Sequence, residues 1–494
     1  MGELRKRTVD GALWNFAGNA GQQLARFVIG IVLARILSPG EYGIIGMVAI
    51  FISIADTFVD SGFSQSLIHK KDVTAADYST VFIINILIGA VIFLLLWASS
   101  GWIADFFNQS ILKDIIIVLA IGIVIRSFTI IQTTRLTKEL NFKTLTRINV
   151  ISMLIAGLVA IPMALGGYGV WSLVGLQVSR DLAYTAIIWI FGKWHPAMNF
   201  SSSSAKDLFG FGSRILGVGL LDTVFLNINN LLIGKLFTAA DLGFYTRATG
   251  YRNLISKNML TVINTVSFPA FSSLRGGLAE TSAGDERLRG SYKKSVELAA
   301  FLTAPLFILL FFTAEPFIRV LITDKWMPAV PYLKVLCLGG IFYPVYGLQV
   351  SILKATGRAD RYLHISIIHK ILILASIIIG IHWGVMGLVA GQVLAMAGIF
   401  IFGTFFLRQV IKYKVLSQVA DLLKYMVIAI PLFFAVNFLV CSLVDGQLLR
   451  LLLQAVADLS LYLILSGILR FAGYSEAMMI LKPFTERIKK RIRR

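Results

Sequence analysis

A chain of 494 residues that is 57% hydrophobic, only 15% charged and +0.79 in mean hydropathy cannot be an ordinary soluble domain, which carries roughly a quarter charged residues. Its net charge of +20 would suggest nucleic acid in a soluble protein. Here the basic residues follow the loops of a membrane protein, so no nucleic-acid partner is expected.

Apolar runs of about 20 residues recur from end to end, each long enough to cross a bilayer core of roughly 30 Å as a helix. Barrel-type alternation is absent, so the expected fold is an all-α polytopic membrane protein. The first six spans are predicted near 12–37, 41–68, 78–104, 112–134, 146–166 and 169–191. The next six fall near 215–237, 241–270, 295–314, 330–353, 362–383 and 385–407, and a last pair near 425–444 and 447–469. With the N-terminus inside, 31 of the 46 basic residues lie on the cytoplasmic side and only six outside: Arg35, Lys113, Lys235, Arg319, Lys325 and Lys334. That bias predicts an even number of helices, with both termini cytoplasmic. The basic N-terminus lacks a cleavable signal pattern, and the first helix is expected to remain in the mature protein. The tail KPFTERIKKRIRR reads as a topology anchor on anionic lipid.

Three pairs of segments suggest a duplication. ARILSPGEYG (34–43) aligns without a gap on GKLFTAADLG (234–243), and GVWSLVGLQV (169–178) on GVMGLVAGQV (384–393). A weaker pair sets QTTRLTKELNF (132–142) over QVSILKATGRA (349–359). All three fall between equivalent helices, so two six-helix lobes in parallel repeat, plus a C-terminal helix pair, are predicted. The expected divisions are an N-terminal lobe over 1–192, a cytoplasmic linker over 193–207, and a C-terminal lobe over 208–410. The extra pair is placed at 411–475 and a basic cytoplasmic tail at 476–494.

Charged residues inside a span are costly, about 2.5–3.5 kcal/mol each on insertion scales, and usually face a cavity or a partner. Nine basic residues remain within or at the edges of helices, Arg126 and Arg180 among them. Asn15, Asn19, Gln22 and Arg26 share one narrow face of the first helix. Asp56 and Asp60 lie one turn apart on the second. The repeat partners of these helices carry Asp222, Asn227, Asn229 and Asn230, and then Arg247, Arg252 and Lys257. This concentration in equivalent helices favours a hydrophilic cavity between two bundles. The alternative is internal pairing, for example Arg26 with Asp56 or Asp60, and Arg180–Asp181 reads as a local pair or a snorkelling residue near the cytoplasm. Candidate substrate-binding residues are therefore Asn15, Asn19, Gln22, Arg26, Arg247, Arg252 and Lys257, since guanidinium groups grip phosphate oxygens in bidentate fashion. Asp56, Asp60 and Asp222 are candidates for a coupling proton or sodium ion.

No P-loop pattern is present, and the five histidines and two cysteines show no metal spacing, so no cofactor, metal site or catalytic residue is expected. The longest outside loop, about 315–329, offers little room for a catalytic domain.

The stretch WNFAGNAGQQLARFVIGIVLARILSPGEYGIIGMV, with its LARxLSPxxYG turn, resembles the bacterial polysaccharide transporters. These are the Wzx-type flippases of O-antigen, colanic acid and teichuronic acid pathways, within the multidrug/oligosaccharidyl-lipid/polysaccharide exporter superfamily. The resemblance covers most of the chain and extends in lobe plan to the lipid II flippases. It implies movement of an undecaprenyl-diphosphate-linked oligosaccharide from the cytoplasmic to the periplasmic leaflet of the bacterial inner membrane by alternating access. In that picture the lipid tail stays in the bilayer, an ion gradient drives the cycle, and a polysaccharide polymerase and chain-length regulator act as partners. Competing readings are a lipid II flippase, a drug/cation antiporter, and an enzyme, a membrane glycosyltransferase or polymerase. The basic eighth helix argues against the antiporter, and the missing outer loop against the enzyme.

Overall fold

A computed structural model describes residues 18, 21–59, 63–70, 72–192, 194–197, 199–278 and 282–479. Helix α1 covers 21–36, followed by α2 (Pro39–Val59), α3 (Phe63–His69), α4 (Ala75–Phe107), α5 (Leu112–Ser127), α6 (Ile130–Lys138), α7 (Phe142–Leu165) and α8 (Trp171–Gly192). Then come α9 (Ser202–Leu236), α10 (Ala239–Leu278), α11 (Ser282–Phe312), α12 (Ala314–Ile322), α13 (Ala329–Gly340) and α14 (Phe342–Ala355). The chain continues with α15 (Ala359–Gly380), α16 (Gly384–Ile411), α17 (Val415–Leu443), α18 (Gln447–Ile468) and a short α19 (472–479). No strand occurs among the described residues. This is an all-α membrane protein.

Among the described residues nine helical segments are long and apolar enough to span a membrane, or ten if the bent pair α5–α6 is one span. One of the nine, Asp360–Ile411, contains two helices, α15 and α16. Fourteen spans are compatible with this count. Of the three predicted helices outside this count, the first is described only over 21–36, and the sixth and eighth hold Arg180–Asp181 and Arg247–Arg252–Lys257.

Packing divides the chain into a first unit ending at Thr246 and a second beginning at Arg247, a boundary inside α10. In the first unit Ile29, Leu33 and Leu37 from α1 and its end are buried against Met153, Ala160 and Ala164 of α7. In lipid such contacts gain by close packing rather than by expulsion of water, and small residues allow the approach. Gly157 gives that room, because a Cβ there would press on Ile29. In the second unit α15 packs on α16, and α11 on α13 and α17.

Helix α9 begins at Ser202, within the segment 193–207. Ser201 caps that helix by accepting a hydrogen bond from the Ser204 N–H at 3.3 Å. The preceding residues are tied to α4: the Ala197 and Ser201 amides donate to Ser79 Oγ (3.1 Å) and Thr80 Oγ1 (2.9 Å).

Each segment pair that signalled the duplication has a structural cause. Ser38 and Thr238 each begin a capping box. The Glu41 N–H donates to Ser38 Oγ at 3.4 Å while the Ser38 N–H donates to Glu41 Oε2 at 2.5 Å; the Thr238–Asp241 pair repeats this at 3.1 and 3.2 Å. Gly169 (φ 57°) and Gly384 (φ 69°) both adopt the left-handed conformation that glycine tolerates, just before or at the start of α8 and α16. Gln132 and Gln349 are both fully buried and donate to backbone carbonyls, Trp194 at 2.8 Å and Phe400 at 3.1 Å. Each presses its side-chain oxygen on a glycine, Gly192 or Gly403, where a Cβ would not fit. The fourth helix of each half is also broken, as α5–α6 with a 43° bend and as α13–α14.

Candidate functional site

The first unit contains a cavity of about 530 Å³ lined by residues of α2, α3, α5 to α8 and the turn before α6. At its centre Arg126, the last charged residue of α5, grips the Asp56 carboxylate of α2 with both terminal nitrogens, at 2.9 and 2.7 Å. Its Nε lies 3.3 Å from Asp181 Oδ2 on α8. One guanidinium thus joins three helices, in the fork geometry that arginine provides. Gly122, one turn before Arg126, leaves room for the Asp181 carboxylate, which a Cβ there would approach at 3.1 Å.

Arg180 lines the same cavity, and its Nε has no hydrogen-bond partner among the described residues. Arg26 is exposed on α1, close enough to Arg180 for the two cations to repel. Two guanidinium groups and two carboxylates thus line the cavity, and Arg26 adds a third cation within electrostatic range of Arg180. Neutral polar groups complete it: Gln22 donates to Asn149 Oδ1 at 3.3 Å, and Thr133 and Tyr184 share a hydrogen bond of 3.1 Å. Such a wall suits an anion accompanied by hydroxyl-rich groups.

Of the sequence candidates in the first unit, Asp56 lines the cavity, Gln22 reaches its edge through Asn149, and Arg26 lies within electrostatic range of Arg180. Asp222 is half-buried on α9 beside Thr223, whose hydroxyl meets that of Thr57 at 2.9 Å, next to Asp56. Asn15, Asn19 and Asp60 lie outside the described residues, as does the tail from residue 480. Arg247, Arg252 and Lys257 belong to the second unit. There Arg247 stacks over the Trp326 ring at 5.7 Å, Arg252 lies near the buried Cys337, and Lys257 is exposed.

Two pairings differ from the alternatives that the sequence offered. Asp56 pairs with Arg126 rather than Arg26, and Asp181 turns to Arg126 across the bundle rather than pairing locally with Arg180. Adjacent helical residues point about 100° apart, so although both Arg180 and Asp181 line the cavity, the close contact of the Asp181 carboxylate is with Arg126. Among the described residues no group of three or more His, Cys, Asp or Glu side chains is placed to hold a metal.

The profile of a family described as "Polysaccharide biosynthesis protein" matches residues 32–331. The teichuronic acid biosynthesis protein TuaB of Bacillus subtilis is 30% identical over 365 residues, covering 73% of this chain and 74% of TuaB. The lipopolysaccharide biosynthesis protein WzxC of Escherichia coli is 23% identical, with 76% of each chain covered. Among solved structures, the inward closed conformation of the lipid II flippase MurJ matches with a TM-score of 0.73 at 14% identity, over 93% of this chain and 98% of that one. An inward-facing multidrug resistance MATE family transporter of the MOP superfamily matches at 0.64 and 15%, over 79% and 94%. At such identities these likenesses concern the fold.

Proposed function

The chain belongs to the polysaccharide biosynthesis protein family, and on that premise we propose how its charged cavity serves transport. The protein is a flippase for a lipid-linked oligosaccharide, a transporter and not an enzyme. Its cargo is an undecaprenyl-diphosphate-linked repeat unit carried from the cytoplasmic to the periplasmic leaflet of the inner membrane by alternating access, with both termini cytoplasmic. The lobes are residues 1–192 and 208–410, joined by 193–207 and followed by the helix pair 411–475 and the tail.

The observation that carries the reading is a cavity lined by Arg126, Arg180, Asp56 and Asp181 among amides, hydroxyls and a few aliphatic side chains, with Arg26 adding a further cation within electrostatic range of Arg180. A diphosphate needs cations placed for bidentate contact, and sugars need neutral hydrogen-bonding walls. Arg247, Arg252 and Lys257, and the amides of Asn15, Asn19 and Gln22, remain the sequence candidates for substrate contact. Asp56, Asp60 and Asp222 are the ion-coupling candidates. Among them Asp56 has a ready mechanism, since protonation would release Arg126 to the diphosphate. A polysaccharide polymerase and a chain-length regulator would receive the product. Export in cells lacking the chromosomal copy, restored by the wild type and not by Arg26→Ala at equal membrane abundance, tests this reading.

The lipid II flippase is the second reading, favoured by the MurJ likeness over nearly the whole chain. Rescue of cells depleted of their lipid II flippase would favour it, and rescue confined to glycan-export mutants would favour the repeat-unit exporter.

A further inference from the structure

The helix pair beyond the repeat carries a buried acid that the cavity does not use. Asp458 lies near the middle of α18, is 0% exposed, and neither of its carboxylate oxygens has a hydrogen-bond partner among the described residues. Its nearest polar neighbour is the neutral amide of Gln454 on the preceding turn, which also donates to Asn437 Oδ1 of α17 at 3.2 Å. One turn later, Tyr462 stacks on Phe301 at 5.5 Å and donates to the Phe301 carbonyl at 3.3 Å. That carbonyl is the one that Pro305, lacking an N–H, leaves unpaired in α11. Helix α17 is likewise interrupted by Pro431.

Helix α18 packs on α17, α11 and α12, and their charged groups are engaged elsewhere. Lys424 of α17 pairs with Glu297 of α11 at 2.5 Å and with Asp421 at 3.3 Å. Lys424 lies 13 residues from Asn437, roughly 20 Å along the helix. Lys293 and Lys294 of α11 pair with Asp421 and Glu476, and Arg289 with Glu286, at that same end. Arg319 of α12 pairs with Glu315 and Asp324. On α18 itself Arg450 donates to the Val444 and Cys441 carbonyls. Of the remaining titratable groups on α17, the Tyr425 hydroxyl accepts from the Gly473 N–H, and the exposed Cys441 thiol turns to Asn437. Among the described residues of these helices no cation is left to neutralise Asp458, and a carboxylate buried alone in a membrane span takes up a proton instead. A metal cation would need a cage of oxygen ligands, whereas Asn437 Oδ1 already accepts from Gln454.

We propose that Asp458 is a proton-binding site within the membrane span of α18, loaded while the helix is packed as seen here and unloaded when α18 moves against α11 and α17. On unloading, the carboxyl O–H bond breaks, its electron pair stays on oxygen and the proton leaves on water; loading is the reverse. The two proline-interrupted helices beside it are the elements able to bend. The site rests on the transport reading only for what its proton drives.

Infrared spectroscopy of the full-length protein in lipid vesicles at neutral pH tests the site without any transport substrate. The wild type is expected to show the carbonyl stretch of a protonated, buried carboxylic acid. Asp458→Asn loses it while eluting as the same monodisperse species, and Asp458→Glu keeps it at a shifted frequency. A wild type without that band, or an Asp458→Asn protein that retains it, overturns the proposal. In vesicles loaded with lipid-linked oligosaccharide, an imposed proton gradient should raise wild-type flux severalfold and leave Asp458→Asn flux unchanged. A response to sodium alone, or a gradient response retained by Asp458→Asn, overturns the coupling. The carboxylic band with no flux in the wild type would remove the transport reading and leave the proton site standing.

Discussion

Gly43 and Gly243 close on each other's turns: a Cβ on Gly43 would overlap the carbonyl oxygen of Ala239, and a Cβ on Gly243 that of Pro39. The four residues pair at the same offset, 39 with 239 and 43 with 243, so the contact is reciprocal about a local two-fold. Backbone meets backbone here, and no side-chain rotation can relieve an added methyl group. Gly43→Ala and Gly243→Ala should each destabilise by about 1–3 kcal/mol, the usual range for overpacking. Because both act on one contact, the double variant should cost less than the sum of the single ones. Thermal unfolding of the four proteins in detergent measures this.

Arg126 holds two carboxylates from two other helices. Arg126→Ala leaves the half-exposed Asp56 and the buried Asp181 without their partner, and because solvent screens the Asp56 contact the cost should be about 1–3 kcal/mol, below that of a fully buried pair. Arg126→Lys should recover only part of that, since an ammonium cannot make the paired contact with Asp56. Adding Asp56→Asn and Asp181→Asn to Arg126→Ala should restore most of the stability while export stays low. Unfolding midpoints alongside an export assay distinguish the two effects.

Gln132 and Gln349 are equivalent buried amides. Replacing either with leucine leaves a backbone carbonyl unsatisfied, Trp194 or Phe400, and should cost about 1–3 kcal/mol. Similar losses at the two sites, read from unfolding midpoints, are expected of duplicated structure; a loss at one site alone would argue against their equivalence.

Tyr462→Phe removes the donor to the Phe301 carbonyl while keeping the ring stack. The expected cost is about 1 kcal/mol. In a Pro305→Ala background, where α11 can satisfy that carbonyl itself, the same change should be nearly neutral. Midpoints for the four combinations check the coupling.

The duplication was legible because its causes are local. A capping box, a left-handed glycine and a glutamine beside a helix break each leave a fixed spacing in the chain, and Glu41–Asp241 and Gly169–Gly384 carried the signal. The charged cavity was legible only in part. Asp56 and Arg26 stood out as charges in apolar surroundings, but which charge meets which depends on helices far apart in sequence. Arg126 comes from α5, 70 residues beyond Asp56, and nothing in the run LKDIIIVLAIGIVIRS says which neighbour it faces. Asp181 was hidden by its neighbour Arg180, although the rotation between adjacent helical residues speaks against a local pair. Asp458 leaves no pattern at all, since a single acid in an apolar run gains meaning only once its surroundings are seen to lack a cation.

The most direct test reconstitutes the purified chain in vesicles carrying an undecaprenyl-diphosphate-linked oligosaccharide in one leaflet and measures the glycan that becomes accessible on the other. The account predicts transfer by the wild type and at least a tenfold loss, about 1.4 kcal/mol, in Arg26→Ala and in Arg252→Ala at equal reconstitution. No transfer by the wild type, or undiminished transfer by both variants, would contradict it.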